Sequence, residues 1–202
     1  MNWKPLFEEL CFRLLGQRAS WPRLLVGVVL SFIPVLNLFA FGYLYRYTRQ
    51  IRATGDLELP AWEDWGGLFA DGMRFLMAWL IYWLSPVLVA ALLSRLLGQA
   101  GLDLVGTVFS TVTTLAFTLL FSCALYRMQS KSDFRSLKEV RLVFGMALAL
   151  WKPLVLPLMA FYGFYVLVFP LYGLSFFLGF LLILSYTVLC LRTLEQRSRR
   201  SL

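Results

Sequence analysis

Four long stretches of the chain carry no charge: Leu24 to Tyr45, Phe75 to Ser94, Leu104 to Tyr126 and Pro153 to Leu191. Shorter segments between them mix apolar and charged positions. A 20-residue helix rising 1.5 Å per residue crosses the ~30 Å hydrocarbon core of a bilayer. The pattern therefore predicts an all-α integral membrane protein, a single membrane domain over 1–202, with transmembrane helices at 75–94, 104–126, 153–169 and 174–191. The last apolar stretch would extend ~58 Å as one helix, too long for one crossing. Pro170 and Gly173 supply its break.

The first apolar stretch, 24–45, has basic residues on both sides. Pro34 lacks a backbone donor, and Asn37 is suited to cap a second helix after it. Two short arms of ~15–18 Å would form a re-entrant hairpin reaching about half the core. The alternative is a kinked fifth span. Short amphipathic stretches precede the apolar units: Phe7–Leu15 within an interfacial segment 1–23, Trp62–Asp71, and Phe134–Phe144. Such helices lie in the membrane surface, apolar face down.

Composition agrees. Of 202 residues, 60% are hydrophobic, 17% aromatic and only 15% charged, against about 25% charged in an average soluble domain. That excludes a soluble enzyme, a secreted disulfide scaffold and a disordered tail protein. The net charge of +8 comes from 19 Lys and Arg against 11 Asp and Glu. Eighteen of those 19 fall before residue 24, in the 46–74 and 127–152 linkers, or in the 192–202 tail; Arg95 alone lies in a short turn. Basic loops favour the cytoplasmic side, which places both short turns outside and the C-terminus inside. The expected partner is an anionic lipid surface contacted by Arg192, Arg197, Arg199 and Arg200, with no nucleic acid. A homo-oligomer or a membrane partner protein is compatible with the small-residue pair Ser175 and Gly179. A cleavable signal peptide is not expected, since Glu8, Glu9, Arg13 and Arg18 interrupt the N-terminal segment.

Chemistry is sparse. There is no histidine, and Cys11, Cys123 and Cys190 are far apart, so neither a metal site nor a cofactor is expected. No catalytic residues are assigned, because no nucleophile has a base in sequence view. The most distinctive polar pattern is Thr107, Thr111, Thr114, Thr118 and Ser122, whose steps of four and three residues place them on one helical face that Ser110 widens. That face either packs against neighbouring helices or, with Asn37 and Ser85, lines a small polar pore.

Two further motifs lie between Ile33 and Gly72. The first is Ile33-Pro34-Val35-Leu36-Asn37 with Gly42-Tyr43, Arg46 and Arg49; the second is Leu59-Pro60-Ala61-Trp62-Glu63-Asp64-Trp65-Gly66 with Phe69 and Asp71-Gly72. Together they resemble the uncharacterised prokaryotic membrane family known as domain of unknown function 4013. The resemblance implies an integral membrane protein of bacteria or archaea and no activity. Physically, Pro60, Trp62, Glu63, Asp64, Trp65 and Asp71 read as an interfacial elbow, with the acids in the first turn of the next helix and the indoles at headgroup level. The other reading is a ligand or headgroup site on Glu63, Asp64 and Asp71. The function expected is non-enzymatic: organising lipid or scaffolding partner subunits through hairpins and basic surface helices. Its rival is a channel or transporter component lined by the Thr/Ser face.

Overall fold

A computed structural model of the chain describes residues 7–16, 20–131, 139–167 and 171–200. Helices account for nearly all of them. In order they are α1 (Phe7–Gly16), α2 (Trp21–Phe32), α3 (Asn37–Thr54), α4 (Trp65–Trp79), a π-helical turn (Leu80–Leu84), α5 (Ser85–Gln99), α6 (Asp103–Lys131), α7 (Val140–Leu167) and α8 (Tyr172–Arg200). Four helical stretches are long and apolar enough to cross a membrane: Trp65–Gln99, Asp103–Ser130, Val140–Phe164 and Gly173–Gln196. Two of the stretches expected as surface helices are instead continuous with spans. α4 enters the first span without a break, and Val140–Phe144 forms the start of α7. Lys152 therefore lies within α7 rather than before it. Pro153 and Pro157 sit inside the same helix. Phe134 to Lys138 and Pro170 lie outside the described residues.

The helices form two compact units, Met1–Leu76 with Lys152–Leu202, and Met77–Trp151. In the first, α8 is the central element, packed by α1, α2 and α3. Although α8 is apolar enough to cross a bilayer, 78% of its apolar segment is buried inside the protein. Phe177, Phe180, Leu181 and Leu184 are fully buried. Leu10 and Leu14, the apolar face of α1, are buried as well, and Phe7 packs edge-on against Tyr186. The apolar face of α1 is thus covered by protein, where a lipid-facing surface helix was expected.

Two close approaches require glycine. A Cβ on Gly42 of α3 would overlap the Leu68 carbonyl, and one on Gly72 of α4 would overlap the Leu38 carbonyl. Both side chains must be absent for the two backbones to cross. Gly163 of α7 has open space where a Cβ would stand. On α7, Val143, Ala147, Leu150, Leu154, Leu158 and Phe161 make one buried stripe, while Leu142, Phe144, Leu148, Trp151, Leu156 and Met159 stay exposed. A single buried stripe on an otherwise apolar helix is what a helix between protein and lipid presents.

The second unit is built on the α5–α6 hairpin. Gly101, at φ +79°, turns the chain in the left-handed region that glycine enters without strain. Pro86, in the first turn of α5, cannot donate a backbone bond, and the helix ahead of it widens into the π turn. The Ser85 hydroxyl donates to the Leu80 carbonyl at 2.7 Å and helps satisfy the widened turn.

Gly42→Ala is expected to destabilise the protein by ~1–3 kcal/mol, because backbone must move. Gly145→Ala, with nothing near its Cβ position, should gain up to ~1 kcal/mol from helix propensity. Thermal unfolding midpoints in one detergent check the opposite signs.

Candidate functional site

The α2–α3 hairpin and the segment after it make the most highly organised polar region. Residues 55–64 form no helix, so their carbonyls need donors from elsewhere. One face of α3 supplies them. Tyr47 donates to the Leu57 carbonyl at 3.0 Å, Tyr43 to that of Pro60 at 2.9 Å, Gln50 to that of Glu58 at 2.9 Å, and Arg46 to that of Glu63 at 2.9 Å. The donors stand three and four residues apart, as neighbours on a helical face must. The segment is a strap laid back along α3. Leu59 is buried beneath it, and the Trp62 ring stacks on Tyr43 at 4.1 Å and 13°.

The strap also fastens α2. The Arg23 guanidinium donates to the Leu59 carbonyl, and Trp62 Nε1 donates to the Arg23 carbonyl at 2.9 Å. Chain before the apolar stretch and chain well after it therefore meet. At the other end the helices break at residues 33–36, where Pro34 was expected to interrupt them. Asn37 does not cap. It is the first residue of α3, Leu36 holds the cap position, and no side-chain cap bond forms. Among the tip residues, Ile33 and Val35 are exposed.

At the strap's end the chain turns into α4 through Asp64, whose φ of 55° is left-handed. Asp tolerates that region better than most residues. Its Oδ1 accepts the Gly67 amide at 3.1 Å, so it caps the helix from just outside, where the first turn was expected to hold Glu63 and Asp64. Trp65 opens α4 and lies edge-on to Phe39. Arg46 pairs with Asp64 at 3.1 Å and reaches Asp71 at 3.8 Å, while Arg74 pairs with Asp71 at 2.9 Å. Asp71 is 7% exposed at its side chain, so it is a buried carboxylate between two guanidinium groups. Pro60, Trp62, Asp64, Trp65 and Asp71 are thus all placed around one face of α3, and Glu63 joins them through its carbonyl with its side chain exposed.

Arg192 has a structural partner. Its guanidinium donates to the Ile51 carbonyl at 3.1 Å, at the α3 C-terminus, and fills the space that a side chain on Gly55 would need. A cation there also faces the negative end of the helix dipole. Arg197, Arg199 and Arg200 lie on the last turns of α8.

The Thr/Ser face of α6 is graded. Thr107 is exposed, Ser110 and Thr111 are half-buried, and Thr114, Thr118 and Ser122 are buried. Thr107, Thr114, Thr118 and Ser122 donate to carbonyls four residues earlier on α6, at 2.7–2.9 Å. From outside the helix, Trp83 Nε1 donates to Thr118 at 2.9 Å. Nothing in the spacing of the threonines pointed to that indole, and nothing in the sequence pointed to Tyr43, Tyr47 and Gln50 as strap donors except their shared face.

All-helical architecture with four apolar helices of spanning length marks a membrane protein. The chain belongs to the family described as Protein of unknown function (DUF4013), which matches residues 26–173. The match runs from α2 to the start of α8 and takes in the whole strap. No curated protein and no solved structure matches the chain.

Burial pushes the Tyr43 and Tyr47 hydroxyls well above the ordinary tyrosine range, with Arg23 pulling back weakly on Tyr43 and a Ser185 hydrogen bond on Tyr47. A group whose folded pKa is raised stabilises the fold fully below its unfolded pKa, about 10 for tyrosine, and that stability is lost as pH rises above it. Unfolding midpoints should therefore fall steeply above pH ~10. In a Tyr43→Phe, Tyr47→Phe double variant the stability should be lower at neutral pH, by ~0.5–1.5 kcal/mol per lost bond, and its alkaline decline flatter.

Proposed function

We propose that the protein is a non-enzymatic component of the prokaryotic cytoplasmic membrane that organises lipid with a half-depth helical hairpin. The observation that carries this reading is the junction of Arg23 with Leu59 and Trp62, which ties the two ends of the apolar segment together while its tip exposes Ile33 and Val35. α2 has 12 residues and rises ~18 Å, short of the ~30 Å core. Its outward face, Leu25, Val26, Val29 and Phe32, is exposed and apolar. Such a hairpin displaces acyl chains in one leaflet only. The break at its tip is tolerable in lipid only where neighbouring protein covers it, and Phe32 at the tip lies against Gly173 of α8.

Basic residues hold the hairpin to its leaflet in this reading. Arg197, Arg199 and Arg200, on the last turns of α8, attract anionic headgroups on the cytoplasmic side at ~1 kcal/mol each. With α8 returning to that side, the C-terminus is cytoplasmic and the α5–α6 turn is outside.

Extraction of the protein with its lipid annulus in polymer-bounded nanodiscs tests the role. The annulus should be enriched in anionic lipid over the bulk membrane, and replacing Arg197, Arg199 and Arg200 with Gln should abolish the enrichment. An annulus of bulk composition around the wild-type chain would overturn the proposal.

A further inference from the structure

Helices α1, α7 and α8 surround a half-open cavity of about 310 Å³ that the strap and hairpin do not use. Phe7 and Cys11 close it on the α1 side, Pro157 and Ala160 line it from α7, and Gly179 and Leu182 from α8. The Phe161 ring packs where a side chain on Gly179 would otherwise stand, and it meets Phe180 at 5.4 Å. Apart from one thiol the walls are hydrocarbon.

Water is a poor occupant of such a space, because an ordered water needs two to four polar partners and the walls offer none beyond sulfur. A dry apolar cavity of only ~150 Å³ already takes up a small hydrocarbon. The cavity's α7 and α8 walls belong to the spanning stretches Val140–Phe164 and Gly173–Gln196, so it opens at a depth where the medium is acyl chain.

We propose that this cavity is a binding site for one long alkyl chain, carried by a membrane phospholipid or by a free fatty acid. The site rests on the lipid-organising reading for the membrane placement of α7 and α8, and adds to it a lipid held individually by the protein. It is independent of how deep the α2–α3 hairpin reaches. It also gives α1 a role, as the wall that closes a chain into place.

The cysteines provide a direct readout. Cys123 and Cys190 are fully buried and Cys11 is half-buried at the cavity edge, so thiol labelling of the folded protein reports Cys11. The full-length chain is purified in a steroid detergent, whose rigid rings do not mimic an alkyl chain. Palmitoyl-oleoyl phosphatidylglycerol is added in one arm and palmitic acid in another. Native mass spectrometry should show one ligand bound per chain in the arm that supplies the natural source, and N-ethylmaleimide labelling of Cys11 should slow in the same arm. Ala160→Trp, which fills the cavity from an exposed position on α7, should lose both the bound mass and the protection. Met159→Trp, on the face of the same helix opposite the lining residues, should keep both. Binding in neither arm, or binding and protection that survive Ala160→Trp, would overturn the site. Anionic enrichment of the annulus is measured separately, so loss of one result does not entail loss of the other.

Discussion

Backbone that forms no helix must find hydrogen-bond donors within the protein wherever packing shields it from water. That constraint organises this molecule. Residues 55–64 leave a row of carbonyls, and α3 answers them with Tyr43, Arg46, Tyr47 and Gln50 along one face. α2 joins through Arg23. Because the donors are side chains on two helices, the strap cannot detach without exposing both helices' polar groups. The hairpin, the entry angle of α4 and the burial of Asp71 all follow from where the strap lies.

The same arrangement explains the double character of α8. A helix with its hydropathy, free in a bilayer, would show lipid most of its surface. Here α1, α2 and α3 cover it, and Arg192 at its C-terminal end locks onto the last turn of α3. The exposed residues of α2, α7 and the α5–α6 hairpin, by contrast, are mostly apolar.

Charge-free runs made the helical class and the spanning lengths legible in the sequence, since a bilayer sets a length and a composition together. Pro34 located the break in the first run, and the cluster from Pro60 to Asp71 located the elbow. Helix starts were less legible. Asp64 acts as a cap only because its backbone adopts a left-handed conformation, and Val140 begins a helix that continues through Lys152 and Pro153 despite the charge and the ring. The threonine face was visible as a pattern, but its hydroxyls' partners were not, because an acceptor carbonyl four residues back on the same helix competes with any neighbour. The roles of Tyr43, Tyr47 and Arg192 depend on contacts between segments distant in sequence, which spacing along one helix does not encode.

A hairpin that enters and leaves by the same side is the central claim, and sided labelling tests it most directly. Single cysteines at Glu8, Val35 and Glu58, in a chain otherwise free of cysteine, are exposed to a membrane-impermeant maleimide in intact cells and in inverted vesicles. Glu8 and Glu58 should react only in inverted vesicles, and Val35 in neither. Reaction of Glu8 and Glu58 from opposite sides would show a full crossing between them and contradict the account.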